Sequence, residues 1–448
     1  MTPFVGQRVA VMGLGKAGFD AARRLRDWGA DVTAWDDCAD ARDRAAAEGL
    51  TLRDPAEGLD ADALLLSPGI PHTHPVPHAA AQAARAAGVP ILCDVEFLFR
   101  AVRASGSEAR FVGVTGTNGK STVTALIHHI LTTAGRVSEV GGNLGPPALG
   151  LNMLWHEGIY TLEMSSYMLE RLARMRFNTG VMLNLSPDHL DRHGSMAGYV
   201  AAKANIFARQ VAGDTAVVGM DDEASAAMAQ GRAGFVRRIS ATTRQPGGVW
   251  CDDGVLRDEE GAFCDLREAR ALPGAHNAQN AAAAAAACLA LDVPRAAIAA
   301  GVLSYPGLPH RLERVAEFGG VAWINDSKAT NADSAARALA SYDRVAWIVG
   351  GIAKDGGIES LAPWLGRVAK AYLIGRDAPL LAATLARHGV PHAVVGDLAS
   401  AIAAAHAEAA APVVLLSPAC ASWDQFPGFD ARGDAFRAQV LALAGGAR

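Results

Sequence analysis

The sequence predicts an α/β protein of three domains, and three observations carry that expectation. Short apolar runs alternate with helical stretches over most of the chain, the pattern of parallel sheets covered by helices. Two glycine-rich segments each follow an apolar run and open a helical one. Breaks of small polar residues and of proline and glycine interrupt the alternation near residues 105 and 306. At roughly 150 residues per domain, a chain of 448 residues also suits three domains.

Half of the residues are apolar and 19% are charged, enough to build large cores and too apolar for a disordered chain. A formal net charge of −5 argues against a nucleic-acid-binding surface spread over the molecule. The six cysteines, Cys38, Cys93, Cys251, Cys264, Cys288 and Cys420, are scattered without a C-x-x-C pair. That excludes a zinc ribbon or a stapled secreted scaffold and suits a reducing cytoplasm. The N-terminal text MTPFVGQRVAVMGLG enters a strand-like run at once and has no signal-peptide pattern, so a cytoplasmic protein is expected. The longest apolar stretch, residues 281–291, is too short for a membrane span of about 20 residues and reads as a buried helix.

The first domain is expected over residues 1–104, with strands near 9–12, 32–35 and 63–66. Gly13-Leu14-Gly15-Lys16-Ala17-Gly18 follows the first of these, and Asp36 stands 21 residues beyond Gly15 at the end of the next, completing the dinucleotide-binding fingerprint of a Rossmann-like domain. Taken alone, this loop says NAD dehydrogenase. Any ligand with a diphosphate would suit it equally, with Asp36 accepting from a ligand hydroxyl or N–H, and a tight turn without ligand is the plain alternative.

The second domain, residues 105–306, carries strand-like runs at 159–163, 181–185 and 216–218, an expected antiparallel meander over 234–270, and the alanine-rich helix after Asn277. GVTGTNGKST, residues 113–122, sits between a strand and a helix. Backbone N–H groups there can cradle phosphate, Lys120 can reach terminal phosphates, and Ser121 or Thr122 can face magnesium. The strict P-loop spacing fails because Val114 replaces its first glycine, but the corner still marks a P-loop ATPase-like α/β domain with an antiparallel portion. Glu163 and the segment 184–193 (NLSPDHLDRH) end strands beside it and offer hard ligands for Mg²⁺, although a lone acid at a strand end is usually a solvated cap. Spacing alone gives Lys203, on an expected helix over 199–207, no role. The cluster YPGLP at 305–309 then opens a third, again Rossmann-like domain over 307–448, with strands near 321–324, 345–349, 371–374 and 413–416.

Taken together, GVTGTNGKST, EMSSY, NLSPDHLDRHGS with AAKANIF downstream, GAHNAQN, PHRLE, WINDSKATN, GGIAKDGG and LLSPACASWDQFPGFDARGDAF resemble the Mur ligases of peptidoglycan synthesis, over essentially the whole chain. The final segment and EMSSY are most similar to the branch that adds D-glutamate. The resemblance implies that Leu14, Gly15, Asp36 and Asp37 grip uridine diphosphate instead of NAD, that Ser67, Gly69 and Asn143 make further contacts with the UDP substrate, and that His189 lies near both substrate and metal. It places the ATP phosphates on Gly116, Thr117, Asn118, Gly119, Lys120, Ser121 and Thr122. One Mg²⁺ would sit near Ser121 and Glu163 and a second near His189 and Lys203, the latter carbamylated by CO₂, since a plain lysine cannot coordinate magnesium. Asn277 and Asn280 match residues beside adenine, with a helix N-cap as the alternative for Asn277. His310, Arg311 and Asp326 match residues around ATP, Asp326 at the ribose, while Lys328, Thr330, Lys354, Ser422 and Phe429 match positions that receive D-glutamate or stabilise the reacting centre. The catalytic set is then Lys120, His189, Lys203, Lys328 and Lys354.

Departures from the related pattern fall at Asp37 and Cys38, where Thr and Arg are common, at Met168 in place of glutamine, and at Trp423 in place of leucine. The implied reaction is ATP-driven amide formation: the carboxylate of UDP-N-acetylmuramoyl-L-alanine takes the γ-phosphoryl group, and the amine of D-glutamate displaces phosphate from the acyl phosphate. Closure of the domains is expected during turnover. The implied partners are small molecules, with no nucleic acid and no membrane span, and the protein is expected to be a monomer. A sister amino-acid ligase or folylpolyglutamate synthetase, an NAD dehydrogenase and a non-enzymatic nucleotide switch are the competing readings.

Overall fold

The structure is a computed structural model that describes residues 2–354 and 356–446. The chain forms two compact units, one running to Ala269 and joined by Ala275–Tyr305, the other made of Arg270–Gly274 and the chain from Pro306 onward.

The first unit holds two sheets. Strands β1 (Arg8–Met12), β2 (Asp31–Trp35), β3 (Thr51–Leu52), β4 (Ala63–Leu66) and β5 (Ile91–Leu92) pair in the order β3-β2-β1-β4-β5, all parallel. Strand β1 is buried past its first residue, which is why it reads RVAVM with no polar alternation. Strand order reverses between β1 and β4, so the loops leaving their carboxyl ends flank a crevice, the usual ligand position in such sheets.

The second sheet contains β6 (Arg110–Thr115), β7 (Ser138–Gly142), β8 (Ile159–Glu163), β9 (Thr179–Met182), β10 (Thr215–Gly219), β11 (Phe235–Ser240), β12 (Val249–Asp252), β13 (Val255–Asp258) and β14 (Gly261–Asp265). Its order is β14-β13-β12-β11-β10-β9-β6-β8-β7. The strand expected at 181–185 is shifted to Thr179–Met182, because after Met182 the chain leaves the sheet to wrap the loop after β6. The expected meander is narrower than 234–270. Strand β11 is parallel to β10, and the antiparallel portion begins only at β12, joined to β13 across Asp253-Gly254. The helix bearing Lys203 is Met196–Ala204, set earlier than expected because Ser195 caps it, its Oγ accepting from Gly198 N at 3.1 Å.

The second unit has one sheet, from β15 (Glu313–Phe318), β16 (Val321–Asn325), β17 (Val345–Gly350), β18 (Val368–Ile374), β19 (His392–Gly396) and β20 (Val413–Leu416), in the order β15-β16-β20-β17-β18-β19. All pairs are parallel except β15 with β16, an antiparallel edge that the apolar runs did not announce because β15 (ERVAEF) is only partly buried.

Within the first unit, one helix ties the two sheets together. Asp94 and Glu96, buried on Asp94–Ala104, each hold main chain of the neighbouring layer. Asp94 Oδ2 accepts from Ala148 N at 2.9 Å, and the Glu96 carboxylate accepts from the N–H groups of Ala173, Arg174 and Met175 at 2.9–3.1 Å and from Arg100 Nε at 2.8 Å. Replacing Glu96 by alanine strips three main-chain N–H donors, that of Met175 buried, of their acceptor and leaves Arg100 without its partner. Glu96→Ala is therefore expected to lower stability by about 3–5 kcal/mol, read as a drop in Tm, with Glu96→Gln intermediate. A Tm for Glu96→Ala within a degree of wild type contradicts this account of the junction.

Candidate active site

Most residues expected at a ligand lie beyond the carboxyl end of a strand or on a helix that follows one, while His310 and Arg311 precede the amino end of β15. In the first sheet, the three glycines of the loop after β1 do separate work. Gly13 has φ +93°, and a Cβ there would lie 2.6 Å from Ser67 Oγ. A Cβ on Gly18 would lie 1.8 Å from Gly13 O, so glycine alone lets the following helix pack this close, while Gly15 faces open space where a ligand can approach main chain. Asp36 acts first on the protein itself: Oδ2 accepts from Leu14 N at 2.5 Å and Oδ1 from Cys38 N at 2.8 Å. Ser67 Oγ donates to Gly13 O at 2.9 Å, joining the loops after β1 and β4. Asp37 pairs with His78 at 3.0 Å, and Gly69 O accepts from Arg192 at 3.0 Å.

The loop after β6 forms the densest site. Gly119 has φ +83°, and a Cβ there would meet Asn280 Oδ1 at 2.2 Å, so the asparagine rests directly on the loop. Asn280 Nδ2 donates to Asn277 Oδ1 at 2.9 Å. Asn277 is the third residue of the helix Ala275–Leu289, which removes its N-cap alternative. Asn118 N donates to Asn184 Oδ1 at 2.9 Å, and Thr117 Oγ1 accepts from Ser186 N at 3.0 Å and lies 3.1 Å from Tyr199 OH, so the segment after β9 closes one side. Ser121 and Thr122 begin the helix Lys120–Thr133, both buried.

Two lysines converge on one carbonyl. Lys120 Nζ donates to Gly116 O at 2.9 Å and Thr117 O at 2.8 Å, and Lys203 Nζ donates to Gly116 O at 2.8 Å and Thr115 Oγ1 at 3.2 Å. Lys203 is 1% exposed, and burial followed by the Lys120 charge holds its amine well below the usual lysine range, with Asp188 and Glu163 opposing. Across from them Glu163, 2% exposed, accepts from Asn143 Nδ2 at 2.6 Å on Oε1, while its buried Oε2 has no hydrogen-bond partner. A carboxylate oxygen left bare in a protein interior asks for a cation or a donor from a ligand.

Among the described residues no group of three or more His, Cys, Asp or Glu side chains could hold a metal by itself. The donor set therefore fits magnesium only in company with phosphate oxygens, which suits an ion that usually takes one or two carboxylates plus substrate phosphates. His189 is in the left-handed region at φ 53°, with its ring 5.2 Å from that of Tyr167. His193 is a structural residue: it lies 3.2 Å from Glu170 Oε1 and 2.9 Å from Ser166 Oγ, and burial pushes it down to about 4, so it stays neutral.

In the second unit, the three neighbouring strands β16, β20 and β17 deliver the expected residues from their carboxyl ends. Asp326 is buried, accepts from Ser417 Oγ at 2.8 Å and Leu312 N at 3.2 Å, and is pushed up to about 7 by burial. His310, at φ 61°, accepts on its carbonyl from Lys328 N at 3.0 Å, and the neighbouring Arg311 is half-buried. Lys328 Nζ lies 4.8 Å over the Phe429 ring, Thr330 N donates to Lys328 O at 2.8 Å, Ser422 is buried, and Lys354 is exposed. Trp423 beside Ser422 is 75% exposed.

Sequence reading missed the residues that hold these loops from within. Asn184 and Gln279, 3.0 Å apart, brace the phosphate loop, and buried Arg171 donates to the carbonyls of Leu66, Ser67 and Ile70 at 2.7–2.9 Å. The sequence holds no sign of this, since arginine is ordinarily a surface residue.

The chain matches the Mur ligase middle domain over residues 114–288 and the Mur ligase glutamate ligase domain over residues 310–420, and it belongs to the Mur ligase family. Within that family its full-length relatives include the UDP-N-acetylmuramoylalanine–D-glutamate ligase of Caulobacter sp. strain K31, 47% identical over 98% of this chain and 97% of the relative. The protein of the same name from Rhizobium johnstonii is 49% identical over 99% of this chain and 97% of the relative. The fold is also that of UDP-N-acetylmuramate-alanine ligase from Thermotoga maritima, with a TM-score of 0.59 at 16% identity over 98% of this chain and 100% of that one.

The raised Asp326 carboxyl has a definite consequence for stability. Its unfolded value is near the ordinary 3.8 and its folded value about 7, so its favourable contribution is full below about pH 4 and is lost as pH rises to about 7. Relative to Asp326→Asn, wild type without ligands is expected to lose Tm steadily between pH 4 and 7 and then run level. Parallel curves for the two proteins contradict a buried, protonated Asp326.

Proposed function

We propose that the protein joins D-glutamate to UDP-N-acetylmuramoyl-L-alanine with ATP cleavage to ADP and phosphate, in the cytoplasm and as a monomer. The observation that carries the ATP half is the loop after β6, where two lysines, a bare carboxylate oxygen and a left-handed glycine under Asn280 meet at one helix start. The amino acid is supported by the names of relatives 47–49% identical over nearly the whole chain. No helix is long and apolar enough to cross a membrane among the described residues, which is consistent with a water-borne substrate.

In this reading the three sheets act as three domains, residues 1–104 Rossmann-like for the UDP substrate, 105–306 for ATP and 307–448, again Rossmann-like, for the amino acid. The glycine loop of Leu14 and Gly15, with Asp36, Asp37, Ser67, Gly69 and Asn143, holds the UDP substrate by main-chain donors at a helix start. Gly116–Thr122 cradles the ATP phosphates, Lys120 faces the transferred group, Asn277 and Asn280 sit at adenine, and Arg311 and Asp326 belong to the nucleotide. Ser121, Glu163, His189 and Lys203 would hold magnesium in two sites, which supplies charge neutralisation at the phosphoryl oxygens when bound. Lys203 suits that task as a carbamate, because an amine must be neutral to add CO₂ and burial favours the neutral form of this one.

Transfer of the γ-phosphoryl group to the L-alanyl carboxylate gives an acyl phosphate and ADP, and water must be kept from it until the D-glutamate amine attacks. Lys328, Thr330, Lys354, Ser422 and Phe429 receive the amino acid. Two cations suit a dicarboxylate, and a fixed approach supplies much of the rate.

The test is phosphate release from ATP and UDP-N-acetylmuramoyl-L-alanine with D-glutamate, L-glutamate, L-alanine, meso-diaminopimelate or L-lysine. Release with D-glutamate alone, and a product heavier by one glutamate residue, is expected. Release with a different amino acid overturns the specificity, and release with none overturns the ligase reading.

A further inference from the structure

Arg432 lies in the first turn of the helix Phe429–Gly446 and is 1% exposed. Its guanidinium reaches main chain from three different strand ends. Nε donates to Ser327 Oγ at 2.9 Å and Nη2 to Ser327 O at 2.9 Å, Nη1 and Nη2 each donate to Cys420 O at 3.2 Å, and Nη1 also approaches Gly350 O at 3.4 Å. Each contact lies within four residues of one assigned above to the amino acid: Ser327 precedes Lys328, Gly350 ends the strand that leads to Lys354, and Cys420 lies two residues before Ser422. The fourth element is the helix of Arg432 itself, whose first residue Phe429 accepts on its carbonyl from Ser327 Oγ at 2.7 Å and carries the ring beneath Lys328.

We propose that Arg432 is a positioning residue for the amino-acid substrate, fixing the loops after β16, β17 and β20 and the start of the last helix in the one arrangement that receives it. The proposal rests on the assignment of Lys328, Thr330, Lys354, Ser422 and Phe429 to that substrate. A planar fork with five N–H donors can span three carbonyls and a hydroxyl at once, which the three donors of a lysine ammonium on its single nitrogen cannot do. The partners are carbonyls and a hydroxyl, so the buried charge is spent on main-chain geometry and not on a carboxylate. Next to it, a Cβ on Gly433 would lie 2.2 Å from His310 Nδ1, and the His310 carbonyl in turn accepts from Lys328 N. The helix therefore bears on Lys328 along two routes, through Ser327 and through His310.

The experiment compares full-length wild type with Arg432→Met, Arg432→Lys and Ser327→Ala, measuring Tm, kcat and the three separate KM values for amino acid, ATP and UDP-N-acetylmuramoyl-L-alanine. Arg432→Met is expected to raise KM for D-glutamate on the order of 100-fold, Arg432→Lys to recover about a tenth of that loss, and Ser327→Ala to cause a rise of a few fold, with the other two KM values within about twofold of wild type. If Arg432→Met does not fold, the other two variants carry the same comparison. An unchanged amino-acid KM in a folded variant, or equal rises in all three KM values in proportion to lost Tm, overturns the proposal and leaves Arg432 a stabilising residue. If wild type uses another amino acid, the D-glutamate reading falls, while the same comparison made with that amino acid still decides the part played by Arg432.

Discussion

The carbonyl of Gly116 accepts from two lysine amines, those of Lys120 and Lys203, and the site around it depends on that sharing. Burial, followed by the Lys120 charge, pushes the Lys203 amine well below the usual lysine range, against the pull of Asp188 and Glu163. The result is a pocket with two lysine amines, that of Lys203 biased toward its neutral form, and a carboxylate oxygen without a partner, arranged at the positive end of a helix. In the proposed reading, phosphate, a divalent cation and a carbamate on Lys203 would complete this pocket.

The same economy recurs at the other strand ends. The sheets put ligand-facing residues on loops, and loops need an internal hold if they are to present a side chain in one place. Here that hold comes from polar groups that bond main chain: half-buried Asp36 on Leu14 and Cys38, buried Arg171 on the loop after β4, and buried Glu96 on residues 173–175. Removing a buried charge that main-chain dipoles satisfy leaves those dipoles unpaired, which makes Arg171 and Glu96 costly to substitute.

Much of this was legible in the sequence because parallel strands buried on both faces read as unbroken apolar runs, and because the glycine loops announce strand-to-helix corners. Boundaries slipped where a loop and not the strand decided them, as at Met182, where the chain turns off to close the phosphate loop. The antiparallel edge β15 escaped because its residues are only partly buried and lack a core pattern. At the site, Lys120 and Glu163 carry their chemistry in motif and position, whereas Lys203 gained meaning only through family resemblance and then through its burial. Arg171 left no trace in the text and Arg432 stood unremarked inside the last resemblance segment, since nothing local distinguishes a buried arginine from a solvated one.

The most direct test of the account is whether Lys203 binds CO₂. With ¹³C-labelled bicarbonate, ¹³C NMR of the wild-type protein is expected to show a carbamate resonance that is absent from Lys203→Arg, whose guanidinium keeps its proton. An active wild-type protein with no Lys203-dependent resonance would contradict the claim that burial of this lysine serves the chemistry.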